Sequence, residues 1–377
     1  MGYTEKYVRS DAAGGGDGTT NTNSGANGAY TLAEAITHSA SNTGVRYNIR
    51  SGTYTLSADL TIPAAATEAP NAWQGFQTSI ADLESVGRAS ASADLTITNF
   101  PLIDGVSTYK IVSVGSFNIL RNLNVKTGAN VTVVTIATSA TNVLIHRCRI
   151  ESTHTTGTSV RIISGSSTSQ TVTDCDLVVA TNGAVTSIVS NRGTVCHCKI
   201  WNTHASPSST SFGLGVSDIG SVAVGNIIYN FGTGLDIGSA AMGAIGNSIY
   251  KVVNGCRLGG NGAIVADNVF QSLTGYLFTG VASSGNPLIM NNASTTPTSG
   301  RMDTGTLGSI IAELNAISLS GNPFTDATTG DFTLNNTAGA GADCRAASKF
   351  FGGKRDLGAV QHTDSGGSTQ SASGFIF

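Results

Sequence analysis

Residues 246–270 read GNSIYKVVNGCRLGGNGAIVADNVF, and the phrase Asn247-Ser248-Ile249 returns as Asn268-Val269-Phe270 after 21 residues. The underlying motif is a small or amide residue followed two positions later by a large apolar one. It runs through Leu123/Val125, Cys148/Ile150, Cys175/Leu177, Cys198/Ile200, Asn226/Ile228, Asn247/Ile249 and Asn268/Phe270, at intervals of 25, 27, 23, 28, 21 and 21 residues. A second phrase keeps step with it: Gly-Leu-Asp-Ile-Gly at 234–238, Gly-Cys-Arg-Leu-Gly at 255–259 and Gly-Tyr-Leu-Phe-Thr at 275–279. Internal periods of about 20 to 50 residues mark a solenoid, a propeller or an array.

The segments between Gly and Asn breaks are about four to six residues long, alternate with a period of two and are rich in β-branched residues, which reads as strand. One coil of a parallel β-helix, three short strands and three turns, fits the interval, with coils stacked about 4.8 Å apart. The fold class expected is all-β: a right-handed parallel β-helix solenoid with a short N-terminal capping helix and a C-terminal cap and tail. Stacking places equivalent residues in columns. Asn226, Asn247 and Asn268 form an expected amide ladder, and Cys148, Cys175 and Cys198 a column of small buried thiols in earlier coils. Gly183, Gly255 and Gly262, each after an Asn, are expected to supply positive φ at the corners.

Composition agrees. Only 11% of residues are charged and 47 are Gly, yet 40% are hydrophobic and spread along the chain, so a core can be buried. The net charge of -3 and the lack of a basic stripe argue against a nucleic-acid partner. Apolar runs are too short to span a membrane. The start, Met1 to Val8, has no signal-like apolar region. All six cysteines are therefore expected to stay reduced, with synthesis in a cytoplasm.

Four regions are expected: an N-terminal arm and capping helix over 1–44, the β-helix over 45–300, a C-terminal capping segment over 301–362 and a flexible tail over 363–377. Thr31-Leu-Ala-Glu34 is a capping box opening a helix from Leu32 to about Ser39. Residues 47–62 then give two strands around Ser51-Gly52. Pro63, Pro70 and Trp73 break the rhythm, and 63–93 reads as a protruding loop insertion.

Residues 31–62, a short helix followed by a strand and SGTYTL, resemble the N-terminal cap of right-handed β-helix proteins with the pectin-lyase-like fold. The segment 322–334, NPFTDATTGDFTL, followed by RDLGAVQ at 355–361, resembles the closing segment of parallel β-helix repeat proteins; between them the pattern departs to TAGAGAD at 337–343. Such chains occur in bacteriophage virions and on bacterial surfaces. The resemblance implies a structural virion protein (capsid decoration, fibre or spike), with other virion proteins or a homotrimer of itself as partners and a host surface polysaccharide as a ligand. A carbohydrate-active enzyme, lyase or hydrolase, and a bacterial surface adhesin located outside the cell are the alternatives.

The enzyme motifs of the fold are not visible, and no cofactor is implied. The weak catalytic candidates are Asp174 and Asp176, expected to point outward together near His146, Arg147 and Arg149; the bland reading is a solvated face with cross-coil ion pairs. Asp236 and Arg257, 21 residues apart, should stack on adjacent coils as a salt bridge or a carbohydrate-binding pair. Asp218 and Asp267 read as scattered acids. Trp73 and Phe76 form a recognition tip, a subunit contact or packing against the coil. Tyr229 and Tyr250 read as an aromatic column. Cys196-His197-Cys198 suggests zinc, but alternation puts His197 opposite both thiols, so no metal is expected.

Overall fold

The computed structural model describes residues 2–83, 93–137, 140–157, 160–165, 170–183, 189–191, 193–216, 220–238, 243–259, 263–280, 287–303, 313–345, 347–348 and 355–360. The expected tail from 363 onward, with Gly262 and Asp218, lies outside the described residues.

Successive coils stack into a parallel β-helix solenoid. Each coil crosses three ladders. The first sheet has 12 strands, from Thr4–Val8 through Val45–Arg50, Asn71–Phe76 and Asn118–Arg121 down to Leu288–Met290 and Glu313–Leu314. The second and third ladders join into one 19-stranded sheet because Ile227–Ile237 and Ser248–Leu258 run through both. In the second lie Asn124–Thr127, Arg149–Ser152, Asp176–Val179 and Lys199–Asn202. In the third lie Thr132–Ile136, Arg161–Ser164 and Phe212–Val216.

The corner between the first and second sheets repeats one device. A residue with left-handed backbone immediately precedes each ladder residue: Asn122, Arg147, Asp174, His197, Gly225, Gly246, Asp267 and Asn291. Two of these are Gly, where positive φ carries no Cβ clash. Gly255, expected to be a corner glycine, is not left-handed and sits inside Ser248–Leu258. There a Cβ would meet the Leu277 carbonyl oxygen at 2.6 Å, so close backbone approach, not turn geometry, calls for Gly.

The next residue points inward and links coils. Asn226 donates its side-chain N–H to Asn247 Oδ1 at 3.0 Å, Asn247 to Asn268 and Asn268 to Asn292 at 2.9 Å each. Each of these oxygens also accepts the backbone N–H of the preceding rung, and each Nδ2 reaches a backbone carbonyl such as that of Val195 or Ala223. The thiols continue the column upward: the Cys198 backbone N–H donates to Asn226 Oδ1 at 3.0 Å, and the Cys148 N–H to Cys175 Sγ at 3.4 Å. Asn292, a further rung, escaped the sequence motif because Ser294 replaces its apolar partner. The second phrase holds register only from Leu235 to Cys256; the partner of Cys256 is Phe278, two residues beyond the position the phrase implies.

The ends are closed differently. At the top, helix Leu32–Ser39 carries the expected capping box, with Thr31 Oγ1 accepting from the Glu34 N–H at 3.2 Å and Glu34 accepting from the Thr31 N–H at 2.8 Å. Its His38 meets the hydroxyl of Tyr47, an inward ring of the first full coil. At the bottom, Arg301 pairs with Glu313 at 2.7 Å and reaches Ser294 and the carbonyl of Asn292, the last ladder rung.

Two expectations fail here. The 63–93 stretch does not simply protrude: Asn71–Phe76 is a buried strand of the first sheet. Trp73 stacks on Tyr47 with centroids 4.2 Å apart and donates to Asn118 Oδ1. At the bottom the C-terminal segment contributes Arg301, Glu313 and the strand Ile317–Leu319, which pairs with Ala293–Thr295. From about Phe324 it turns back over the outer face of the second sheet. There Phe324, Phe332, Leu334 and Leu357 form a separate apolar cluster with Ile227, Val269, Ala293 and Leu319.

Candidate functional site

Asp174 and Asp176 do not act together. Asp174 occupies a left-handed corner, φ 55°, which breaks two-residue alternation between them. Its carboxylate lies 3.5 Å from His146 Nδ1 at the surface. Asp176 is fully buried and accepts the N–H of Leu95 at 2.8 Å.

Asp176 belongs instead to a column that sequence reasoning missed: Arg149, Asp176 and Lys199 are in register on three successive coils of the second sheet. The signal was present, because each follows a ladder cysteine directly. Lys199 is buried, donates to Asp94 Oδ1 at 2.6 Å and stands 5.3 Å from the Trp201 ring centroid. Trp201 and Tyr229 stack with parallel planes, and Phe332 closes over Tyr229 and Tyr250. The expected aromatic column exists, but under the C-terminal strap. A base must reach a substrate proton. Asp176 and Lys199 are out of reach of a substrate proton, while the Asp94 carboxylate stays half exposed, and their contacts fasten the stretch around Asp94–Leu95 and the strap to the coil.

Trp73 and Phe76, each 1% exposed, are core and offer no recognition tip. In Cys196-His197-Cys198 the left-handed His197 turns the two thiols apart. Cys198 faces the interior, while Cys196 stands in register with the outward Thr173, its thiol pushed up to about 11 by burial. Among the described residues no group of three or more His, Cys, Asp or Glu could hold a metal ion. A cavity of about 700 Å³ opens at the N-terminal end between the cap helix and residues 53–61; it gathers hydroxyls and aliphatics with Arg9, Tyr54 and Asp59.

The accessible polar site lies on the outer face of the third sheet. Asp236 and Arg257 are opposite one another on adjacent strands and form a two-pronged pair, Nε to Oδ1 and Nη2 to Oδ2, each 2.7 Å. The guanidinium carbon sits 4.2 Å from the centroid of the Phe212 ring. The Arg257 side chain remains 39% exposed, so this is a fixed cation that solvent reaches. Its register column passes through Ser164, Ser190, Gly215, Asp236, Arg257 and Thr279, leaving small residues on either side of the pair along the axis.

No family profile and no curated protein matches the chain. Among solved structures, the chain is similar to pectate lyase Pel9A with a TM-score of 0.67 and 14% identity, covering 96% of this chain and 97% of that one. It is similar to a rhamnogalacturonan lyase with a TM-score of 0.51 and 13% identity, covering 93% and 99%. At these identities the likeness establishes the fold.

Proposed function

We propose that the chain is a carbohydrate-active protein that takes an extended polysaccharide along the outer face of the third sheet. The observation that supports this most directly is the Arg257 site. A guanidinium clamped by a carboxylate and backed by a ring presents fixed donors beside fixed acceptors, the arrangement that vicinal sugar hydroxyls or a uronate require. Asp236 engages two of its five N–H groups. The column from Ser164 to Thr279 spans five strand spacings, about 24 Å, so several sugar units would lie along it. The two solved structures of the same fold are named for polysaccharide substrates, which favours this reading over the phage-particle expectation.

The test is affinity electrophoresis through gels containing polygalacturonate, rhamnogalacturonan or alginate. At least one should retard the protein, and Arg257→Ala should weaken retardation about tenfold, the loss of one charged hydrogen-bonding anchor. Ultraviolet absorbance of unsaturated uronates in the same mixtures reports whether binding leads to elimination. Free migration through all three gels, with no unsaturated product, would sink the proposal.

A further inference from the structure

The first sheet changes character along its length. Its early and middle strands mix polar and apolar residues outward, with Glu5, Arg46, Gln74, Arg121 and His146 among Ile119 and Leu144, whereas the last five rungs present Val224, Ile245, Ile264, Leu288, Met290 and Leu314. Leu288 and Leu314 are 42% and 50% exposed, and the strip carries no charged side chain at these positions. On the second sheet the same turns also present aliphatics outward, Ile227, Val269 and Ala293, and there the chain covers them with its own C-terminal strap.

That strap arrives at the border of the uncovered strip. The Gly358 N–H donates to the Asp267 carbonyl, the Ala359 N–H donates to Ser248 Oγ, and Ser348 bonds the Asp267 carboxylate. Asp267 is the corner residue between the first and second sheets, and Ala266 beside it is already fully buried. Fourteen residues, 361–374, follow Val360 with a single charge, and then come Phe375, Ile376 and Phe377.

We infer that Phe375, Ile376 and Phe377 seat on this strip of the first sheet in the same molecule, continuing the strap round the corner. Size selects the occupant. Five rungs about 4.8 Å apart and three residues wide give roughly 200 Å². A stable partner surface needs about 800 Å², so a second copy would be poorly held, whereas three large apolar side chains fill the strip. Reach is sufficient: a fourteen-residue polar tether has a root-mean-square span of about 20 Å, the length of the strip. It also holds its tip at millimolar effective concentration.

The test is a cysteine pair, Met290→Cys with Ile376→Cys, in the full chain carrying Cys196→Ser, since Cys196 lies on the same sheet's outward column. Mild oxidation should give a disulfide within the monomer, identified as a linked peptide by mass spectrometry. A second pair, Thr171→Cys with Ile376→Cys, places the thiol on the polar part of the face and should link at least fivefold more slowly. Phe375→Ser with Phe377→Ser, without cysteines, should raise binding of a hydrophobic dye severalfold while leaving the melting temperature of the solenoid in place. Equal rates for the two pairs, links only between molecules, or unchanged dye binding would each overturn the inference.

Discussion

Asn247 shows how one side chain holds three coils. Its Oδ1 accepts both the backbone N–H and the amide of Asn226, while its Nδ2 supplies Asn268 Oδ1 and the carbonyl of Ala223. All of these groups are buried. Asn247→Ala therefore leaves polar atoms above and below without partners, each costing about 1–3 kcal/mol. We expect a loss of about 3 kcal/mol or more, read from the denaturant midpoint if unfolding is cooperative. Cys175→Ala should cost less. The Cys175 thiol donates to the carbonyl of Thr173, and burial holds its pKa well above the usual thiol range, so it acts as a neutral, weak donor. A ladder in which the two substitutions cost the same would show that packing, not hydrogen bonding, sets the column. Their shared geometry explains why the interval was legible: stacking demands equivalent residues at equivalent places. It also explains the misreading of Asp174 with Asp176, because a left-handed residue resets alternation and nothing in Thr-Asp-Cys-Asp announces it.

At the scale of elements, the C-terminal strap behaves as an add-on to a finished coil. Phe332 is its anchor, fully buried and ringed by Tyr229, Tyr250 and Phe324. Removing such a side chain costs about 3–5 kcal/mol, and the loss should fall on the strap. For Phe332→Ala we expect amide exchange to accelerate across 324–334 and 355–360 while Ile227–Ile237 keeps its protection. Uniform acceleration along the solenoid would mean that strap and coil unfold as one unit. Sequence reading found the closing motif in this segment yet assigned it to the bottom of the stack. The clue to its true place was that Ile227, Val269 and Ala293 stand one residue after the inward ladder amides. They therefore point outward although they are apolar, and outward aliphatics gathered in one column, broken by Ser248, require a cover. The strand Asn71–Phe76 was missed for a different reason. Its flanks are rich in Pro and Ala, and Gly75 reads as a breaker. In the fold a Cβ at Gly75 would strike the Asn122 carbonyl oxygen at 2.1 Å, so the Gly serves close packing inside a strand. The Asp236–Arg257 pair was legible because the 21-residue spacing alone sets two strands in register; its cushion, Phe212, lies on an earlier coil at no fixed interval.

For the whole molecule, the unsolved problem of a solenoid is its ends, where a row of unpaired backbone groups invites another copy. Both ends of this chain carry charge in line with the inward columns. Lys6 stands in register with the inward Tyr47 at the top and donates to the carbonyl of Asp17. At the bottom, Glu313 follows Ile289 in its column, only 6% of its side chain exposed, and Arg301 neutralises it. Glu313 is already buried, so a second stack joining there would have to cover the part of the Arg301 guanidinium that still meets solvent, which adds to the desolvation cost of the pair. The pair therefore serves to keep molecules apart, and its effect on stability and its effect on association can be separated. Arg301→Leu alone strands a buried carboxylate and should destabilise by about 3–5 kcal/mol. Arg301→Leu with Glu313→Leu removes both charges and extends the apolar column, so the fold should survive with near-native stability. That double variant should instead associate through its C-terminal end, seen as concentration-dependent growth in light scattering, while the parent stays at constant mass. A double variant that remains at the parent's mass at every concentration would show that the pair does not guard the end. Closure would then rest on the backbone geometry of the last coil.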